Sequence, residues 1–262
     1  MPVTRPLVTL LTDFGTADGY AGEVKGALLT AVPDANVVDI SHDVPPQDVE
    51  GARLALARYW RRFPRGTVHL VVVDPGVGAD RAAIAVESAG YALVGPDNGV
   101  LSPALLVPEA RVVTLAVPAQ AAPTFHGRDV FAPAAAALAG GAPLAELGTA
   151  YDHAIVLRTP EPERWADGTL AGEVIAIDHF GNAVTNCLGL RGGTLEVGGV
   201  VVTVARAYAD VAPGSLVAVT GSNGLLEIAE RDGSAARRLG LRRGTPVLFR
   251  AHARGSTGVP EG

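Results

Sequence analysis

Two aspartates end apolar runs: Asp13 closes LVTLLTD, and Asp74 closes TVHLVVV just before Pro75 and Gly76. In open α/β sheets ligands bind outside the carboxyl ends of strands, so two carboxylates at such ends should face one crevice. Aspartate ahead of glycine or proline is also ordinary loop chemistry, and taken singly either residue can be only a turn former. His126 lies in TFHGRD (Thr124 to Asp129), ahead of a helical pattern for which Asp129 is placed to serve as N-cap. By itself it is the kind of loop histidine that packs on a surface, and Arg81, after the Gly76 to Asp80 loop, reads equally as a solvated charge. The stretch IDHFGN sets Asp178 and Asn182 on either side of an aromatic in a turn between two strands. Ser222-Asn223-Gly224 has hairpin-turn chemistry, and Glu227 stands inside the apolar run LLEIA.

Several signatures are absent. No G-x-x-x-x-G-K-[ST] loop occurs, and the nearest approach to a dinucleotide fingerprint, Gly76-Val-Gly78-Ala-Asp-Arg81, has arginine at the third glycine. Neither H-E-x-x-H nor G-x-S-x-G is present, which leaves zinc-peptidase and α/β-hydrolase readings without support.

The elements that must position these residues fall into two groups. Through about residue 157 short apolar runs alternate with helical patterns. LVTLLTD is followed by Tyr20 to Val32, with Ala21, Val24, Leu28 and Ala31 at helical spacing; ANVVDI precedes Pro45-Pro46 and the helical DVEGARLALARYWRRF, with Val49, Leu54, Leu56 and Trp60 on one face. Two strands joined at Ser88-Ala-Gly follow TVHLVVV, and Asp129 to Gly141 reads as a helix closed by glycine. Such alternation predicts an α/β domain with a mostly parallel central sheet covered on both faces. Composition changes at RTPEPERWADG, residues 158–168, which is expected to be a linker. Beyond it, short runs broken by Gly-Gly, Pro-Gly and Ser-Asn-Gly predict an all-β barrel-like domain over 169–252, with a flexible tail at 253–262.

At 262 residues with 48% apolar and 18% charged side chains, the chain can bury about 70% of its unfolded surface without covalent staples. A net charge of -6 disfavours the phosphate attraction on which nucleic-acid binders depend. The single Cys187 excludes an internal disulfide framework and fits a reducing, cytoplasmic setting. No run reaches the ~18 apolar residues of a membrane span, and the N-terminus carries no cleavable leader pattern.

Taken in order, LLTDFGTADGYAGEVKG, ISHDVPPQDVEGA, VVVDPGVGADR, VGPDNGVL, PTFHGRD, IDHFGNAVTN and GSNGLLEIA resemble the S-adenosyl-methionine hydroxide adenosyltransferase family, relatives of the fluorinase and chlorinase enzymes. The resemblance runs from Leu10 to about Ala229. It implies an N-terminal α/β domain, a C-terminal β-barrel-like domain, and a homotrimer with each active site between one subunit's N-domain and its neighbour's C-domain. It further implies attack of water on the ribose C5′ of S-adenosyl-L-methionine, with that molecule as substrate and no cofactor or metal. Asp74, Arg81 and His126 match the family's hydrolytic set, either Asp74 or His126 being the base. Asp13 matches the ribose ligand and Asn182 the adenine reader. Asp178 and Ser222 match the methionine end, Asp18 and Asn223 are weaker matches there, and Glu227 is a further pocket candidate. The halogenases carry tyrosine at the position of Asp74, tryptophan at Gln47, and in the fluorinase serine at Gly127. A carboxylate 4 Å from a halide would repel it by about 4 kcal/mol at an effective dielectric of ~20, so Asp74 favours water. Three alternatives remain: a halide adenosyltransferase, a non-catalytic adenosine or S-adenosyl-methionine binder, and a metal phosphoesterase drawing on Asp13, His42, Asp43, Asp74 and His126.

Overall fold

The computed structural model describes residues 5–189 and 192–251; the expected tail at 253–262 lies outside them. The chain divides into two compact units, 1–158 and 159–262. No helix among the described residues is long and apolar enough to cross a membrane.

The first unit runs β1 (Leu7–Thr12), α1 (Tyr20–Ala31), β2 (Asn36–Ser41), α2 (Val49–Tyr59), β3 (Val68–Val72), β4 (Ala83–Ser88), β5 (Tyr91–Pro96), α3 (Ser102–Leu105), β6 (Arg111–Leu115), α4 (Ala132–Ala139) and β7 (Gly148–Ala150). Its sheet has the order β2-β1-β3-β5-β4-β6-β7. The β2-β1-β3-β5 block is parallel, and the β5-β4, β4-β6 and β6-β7 pairs are antiparallel. Side chains alternate across the pleat. Leu10, Leu70 and Val72 meet Val24 and Leu28 of α1 and Ala132 and Ala136 of α4 on one face. Leu11, Val71 and Val73 meet Ala52 and Leu56 of α2 and Ala104 of α3 on the other. Each such buried valine or leucine contributes roughly 1.5–3 kcal/mol, which is why these strands read as unbroken apolar runs.

Local details depart from the sequence expectations at Ala31 and Asp129. Ala31, expected on the apolar face of α1, is exposed at its last turn. Pro45 and Pro46 precede α2 without entering it; Asp48 is the N-cap and accepts from Gly51 N at 3.0 Å. Asp129 does not cap the following helix. It sits inside a wide turn, Gly127–Phe131, and its carboxylate accepts from Ala122 N at 2.8 Å and from the neighbouring Arg128 at 2.7 and 2.9 Å. A charged donor on the adjacent residue outcompetes a helix-end amide for that carboxylate.

The second unit holds β8 (Glu163–Arg164), β9 (Leu170–Ile177), β10 (Ala183–Leu188), β11 (Thr194–Val197), β12 (Val200–Thr203), β13 (Leu216–Thr220), β14 (Leu225–Glu230), α5 (Ala235–Leu239) and β15 (Pro246–Arg250). The order β12-β11-β15-β9-β10-β14-β13 is closed into a seven-strand barrel by a bridge between Val204 and Ala218, and β8 pairs with β9 outside that path. Val174, Cys187, Leu195, Leu226, Ile228 and Phe249 fill the interior.

Candidate functional site

β1 and β3 are parallel neighbours in the register Thr12↔Val72, so Asp13 and Asp74 leave the sheet at the same edge. The backbone turns back at once after Asp74, with Val77 N donating to Asp74 O at 3.2 Å. At Gly78 φ is +78°, and a Cβ there would lie 2.5 Å from Pro123 O. Only glycine both adopts that backbone and lets the segment ahead of His126 close on this loop.

This close approach joins three side chains. Arg81 Nε donates to Asp74 Oδ1 and Oδ2 at 3.0 Å each, and Arg81 Nη2 bonds Asp74 Oδ2. The Asp74 and Arg81 side chains are 6% and 10% exposed, so the pair is shielded from solvent. Arg81 Nη2 also lies 2.9 Å from His126 Nδ1. A guanidinium has only donors, so Nδ1 must accept and the imidazole proton must sit on Nε2. Burial, then the Arg81 charge, lowers the His126 pKa below the usual imidazole value, with Asp74 and Asp129 opposing. Arg81 rests over the ring of the buried Phe131, 5.2 Å from its centroid, and its Nη1 is buried without a hydrogen-bond partner among the described residues.

Asp13 is half-buried, and its Oδ2 accepts from Gln47 N at 2.8 Å. Gln47 holds φ +67°, a left-handed backbone unusual for its type. Asp18 is exposed in the loop before α1. Three rings that the sequence did not single out close over this corner: Phe14, Tyr20 and Phe125, with centroids 5.4–6.4 Å apart. A Cβ on Gly127 would come within 3.2 Å of Phe14, so the residues following Asp13 and His126 pack directly together. The only sequence signal for this corner was a phenylalanine beside a polar residue in both DFG and TFHG.

In the second unit Asp178 is a turn former: Oδ1 accepts from Phe180 N at 2.9 Å and Asn182 N at 2.8 Å, and Oδ2 accepts from Asn182 Nδ2 at 2.9 Å. This uses one of the two Asn182 amide N–H donors and leaves the other N–H and the Oδ1 acceptor for a ligand. Phe180 projects from the turn, 72% exposed. Ser222 is exposed at the β13–β14 turn, where Asn223 Oδ1 accepts from Leu225 N at 3.1 Å. Glu227 is buried on β14 and takes the Tyr208 hydroxyl, a partner that sequence spacing gave no reason to expect. Among the described residues no three histidine, cysteine, aspartate or glutamate side chains gather as metal ligands, so the phosphoesterase alternative lacks the cluster it needs.

The sequence model of the SAM hydroxide adenosyltransferase N-terminal domain matches residues 8–148, and that of the C-terminal domain matches 172–248. The chain is 43% identical to an (R)-S-adenosyl-L-methionine hydrolase of Thermus thermophilus, over 93% of this chain and 98% of the relative. It is 30% identical to a fluorinase of Nocardia brasiliensis, over 93% and 96%. Among solved structures, an uncharacterized conserved protein from Thermotoga maritima superposes with a TM-score of 0.85 at 34% identity, covering 92% of this chain and 99% of that one.

Proposed function

The chain belongs to the SAM hydroxide adenosyltransferase family, and from that premise we propose that it hydrolyses S-adenosyl-L-methionine at C5′ of the ribose to adenosine and L-methionine. A water oxygen bonds to C5′ while the C5′–S bond breaks, its electron pair staying on sulfur. Methionine thus departs as a neutral thioether, which needs neither a general acid nor a Lewis acid; only the incoming oxygen must lose a proton. The reaction asks for no cofactor. Alignment of oxygen, C5′ and sulfur supplies a large part of the rate.

The observation that carries this reading is the pairing of a buried, partner-free Arg81 Nη1 with a carboxylate and a neutral imidazole on the same guanidinium. Nη1 is an N–H donor with capacity left for an oxygen ligand. Asp74, paired with Arg81, keeps further acceptor capacity and takes the water's proton. In this reading His126 is not the base, because its Nδ1 accepts from Arg81 and its other nitrogen then carries the proton; it orients the water by donation. A carboxylate is an adequate acceptor here, since the oxonium formed on attack is a far stronger acid than any carboxyl group.

Asp13 accepts from the ribose diol, and Asn182 Oδ1 accepts from the adenine amino group. Asp178 and Ser222 hold the methionine end, with Asp18 and Asn223 as lesser contributors, and Glu227 opposes the substrate's positive charge. The functional unit in this reading is a homotrimer in the cytoplasm, each site completed by the barrel of a neighbouring subunit; sedimentation velocity tests the trimer. Purified protein treated with a chelator should release adenosine and methionine in equal amounts from S-adenosyl-L-methionine. Intact substrate recovered from folded protein overturns the reading, and a 5′-chloro nucleoside formed with chloride would establish the halide alternative.

A further inference from the structure

Behind Asp13 lies a polar chain that the reaction above does not use. Thr12 and His42 are both buried, and Thr12 Oγ1 lies 2.8 Å from His42 Nδ1. His42 Nε2 lies 3.2 Å from Asp39 Oδ1, a contact poorly aligned for a hydrogen bond, and Asp39 Oδ2 accepts from Lys25 Nζ at 2.5 Å. Asp39 and His42, three apart, would point to opposite faces of a regular strand. The β1–β2 ladder slips between Leu10↔Asp39 and Leu11↔Ser41, and the extra residue turns both to one side. The carboxylate favours the imidazole proton on Nε2, so Nδ1 accepts the Thr12 hydroxyl proton, and Thr12 Oγ1 is then free to accept from Phe14 N at 3.3 Å. The backbone of His42 adds a second tie, its carbonyl accepting from Gly15 N at 2.8 Å. The residues on both sides of Asp13 are therefore tied to this one chain.

We infer that Asp39, His42 and Thr12 are positioning residues for Asp13, holding its carboxylate at the orientation that grips a ribose diol. This rests on the reading of Asp13 as the ribose ligand. Loss of the His42 bonds leaves Asp13 in place but able to swing, so binding of the diol weakens while the chemistry at C5′ is largely kept.

The test compares the affinities of adenosine and 2′,3′-dideoxyadenosine by calorimetry, with KM and kcat alongside, for full-length wild type, Asp13→Ala, His42→Phe and His42→Gln. Glutamine can accept from Thr12 as the imidazole does and present an N–H toward Asp39. With one or two hydrogen bonds at stake, His42→Phe should weaken adenosine about tenfold and raise KM similarly, with kcat changed less than about twofold. His42→Gln should recover most of that loss, and dideoxyadenosine should bind all His42 variants alike. If His42→Phe does not fold, Asp39→Ala, altering a 43% exposed side chain, should show the same selective loss. Equal weakening of both nucleosides, or no weakening of adenosine, overturns the inference. If Asp13→Ala itself fails to erase the preference for adenosine over the dideoxy compound, the ribose assignment of Asp13 falls first and the inference with it.

Discussion

His69 makes the stability of the first unit sensitive to acid. It is fully buried near the start of β3, with Nδ1 2.7 Å from Thr9 Oγ1 and the rings of Tyr59, Phe63 and Tyr91 at 5.6–5.9 Å. Burial lowers its pKa from 6.5 to about 4, with the nearby Trp60 backbone working the other way. Above pH 6.5 the imidazole is neutral folded or unfolded, and its contribution is fully present. Between 6.5 and about 4 the unfolded chain takes up a proton that the folded chain refuses, so stability is lost as pH falls. At about 1.4 kcal/mol for each pH unit the loss amounts to about 3 kcal/mol, a sizeable share of the roughly 5–15 kcal/mol of a typical domain. Urea unfolding at pH 7 and pH 4 measures it. The chain has two tryptophans, Trp60 buried beside Tyr91 and Trp165 41% exposed, so a Trp165→Phe background makes fluorescence report the first unit. His69→Gln in that background keeps a partner for Thr9 and does not titrate. The stability difference between the two proteins should shift by about 3 kcal/mol over that range, and parallel pH curves would refute the reasoning.

Asp74→Asn should cut turnover by about 10²–10⁴-fold, as expected for loss of proton acceptance, with substrate affinity largely kept; equal losses in affinity and rate, read by calorimetry and product assay, would contradict its role as base. Protonating His126 places a proton on Nδ1 facing Arg81 Nη2. Because its pKa is lowered, activity should be complete above the ordinary imidazole range and fall only at more acid pH, and His126→Asn should remove that limb from the pH–rate profile. Gly78→Ala forces a side chain into a left-handed backbone against Pro123 O. It should cost at least about 1–2 kcal/mol in thermal or urea unfolding and reduce turnover by misplacing Arg81 against His126.

Most strands and the longer helices were legible because they depend on local periodicity, whereas α3, β6, β7, β8 and α5 were not expected. LVTLLT and VHLVV are apolar throughout since both faces of the parallel block are covered, whereas the short runs after Leu170 follow barrel spacing. Asp13 and Asp74 were legible as strand ends for the same reason. Sequence order alone also carried the family resemblance, since its motifs are contiguous. What tertiary structure decided is everything that depends on pairs far apart in the chain. Arg81 and His126 are 45 residues apart and meet only because Gly78 lets Pro123 approach; their contact, not either residue's type, sets the imidazole tautomer on which the proposal of Asp74 as base rests. Asp129 lost its expected capping role to a salt bridge, and His42, considered in the sequence only as a metal ligand, and His69, not singled out there, became buried polar groups through β-ladder register and ring packing. A proton's location and a carboxylate's orientation are set by partners and solvent exclusion, and those exist only once distant segments are packed.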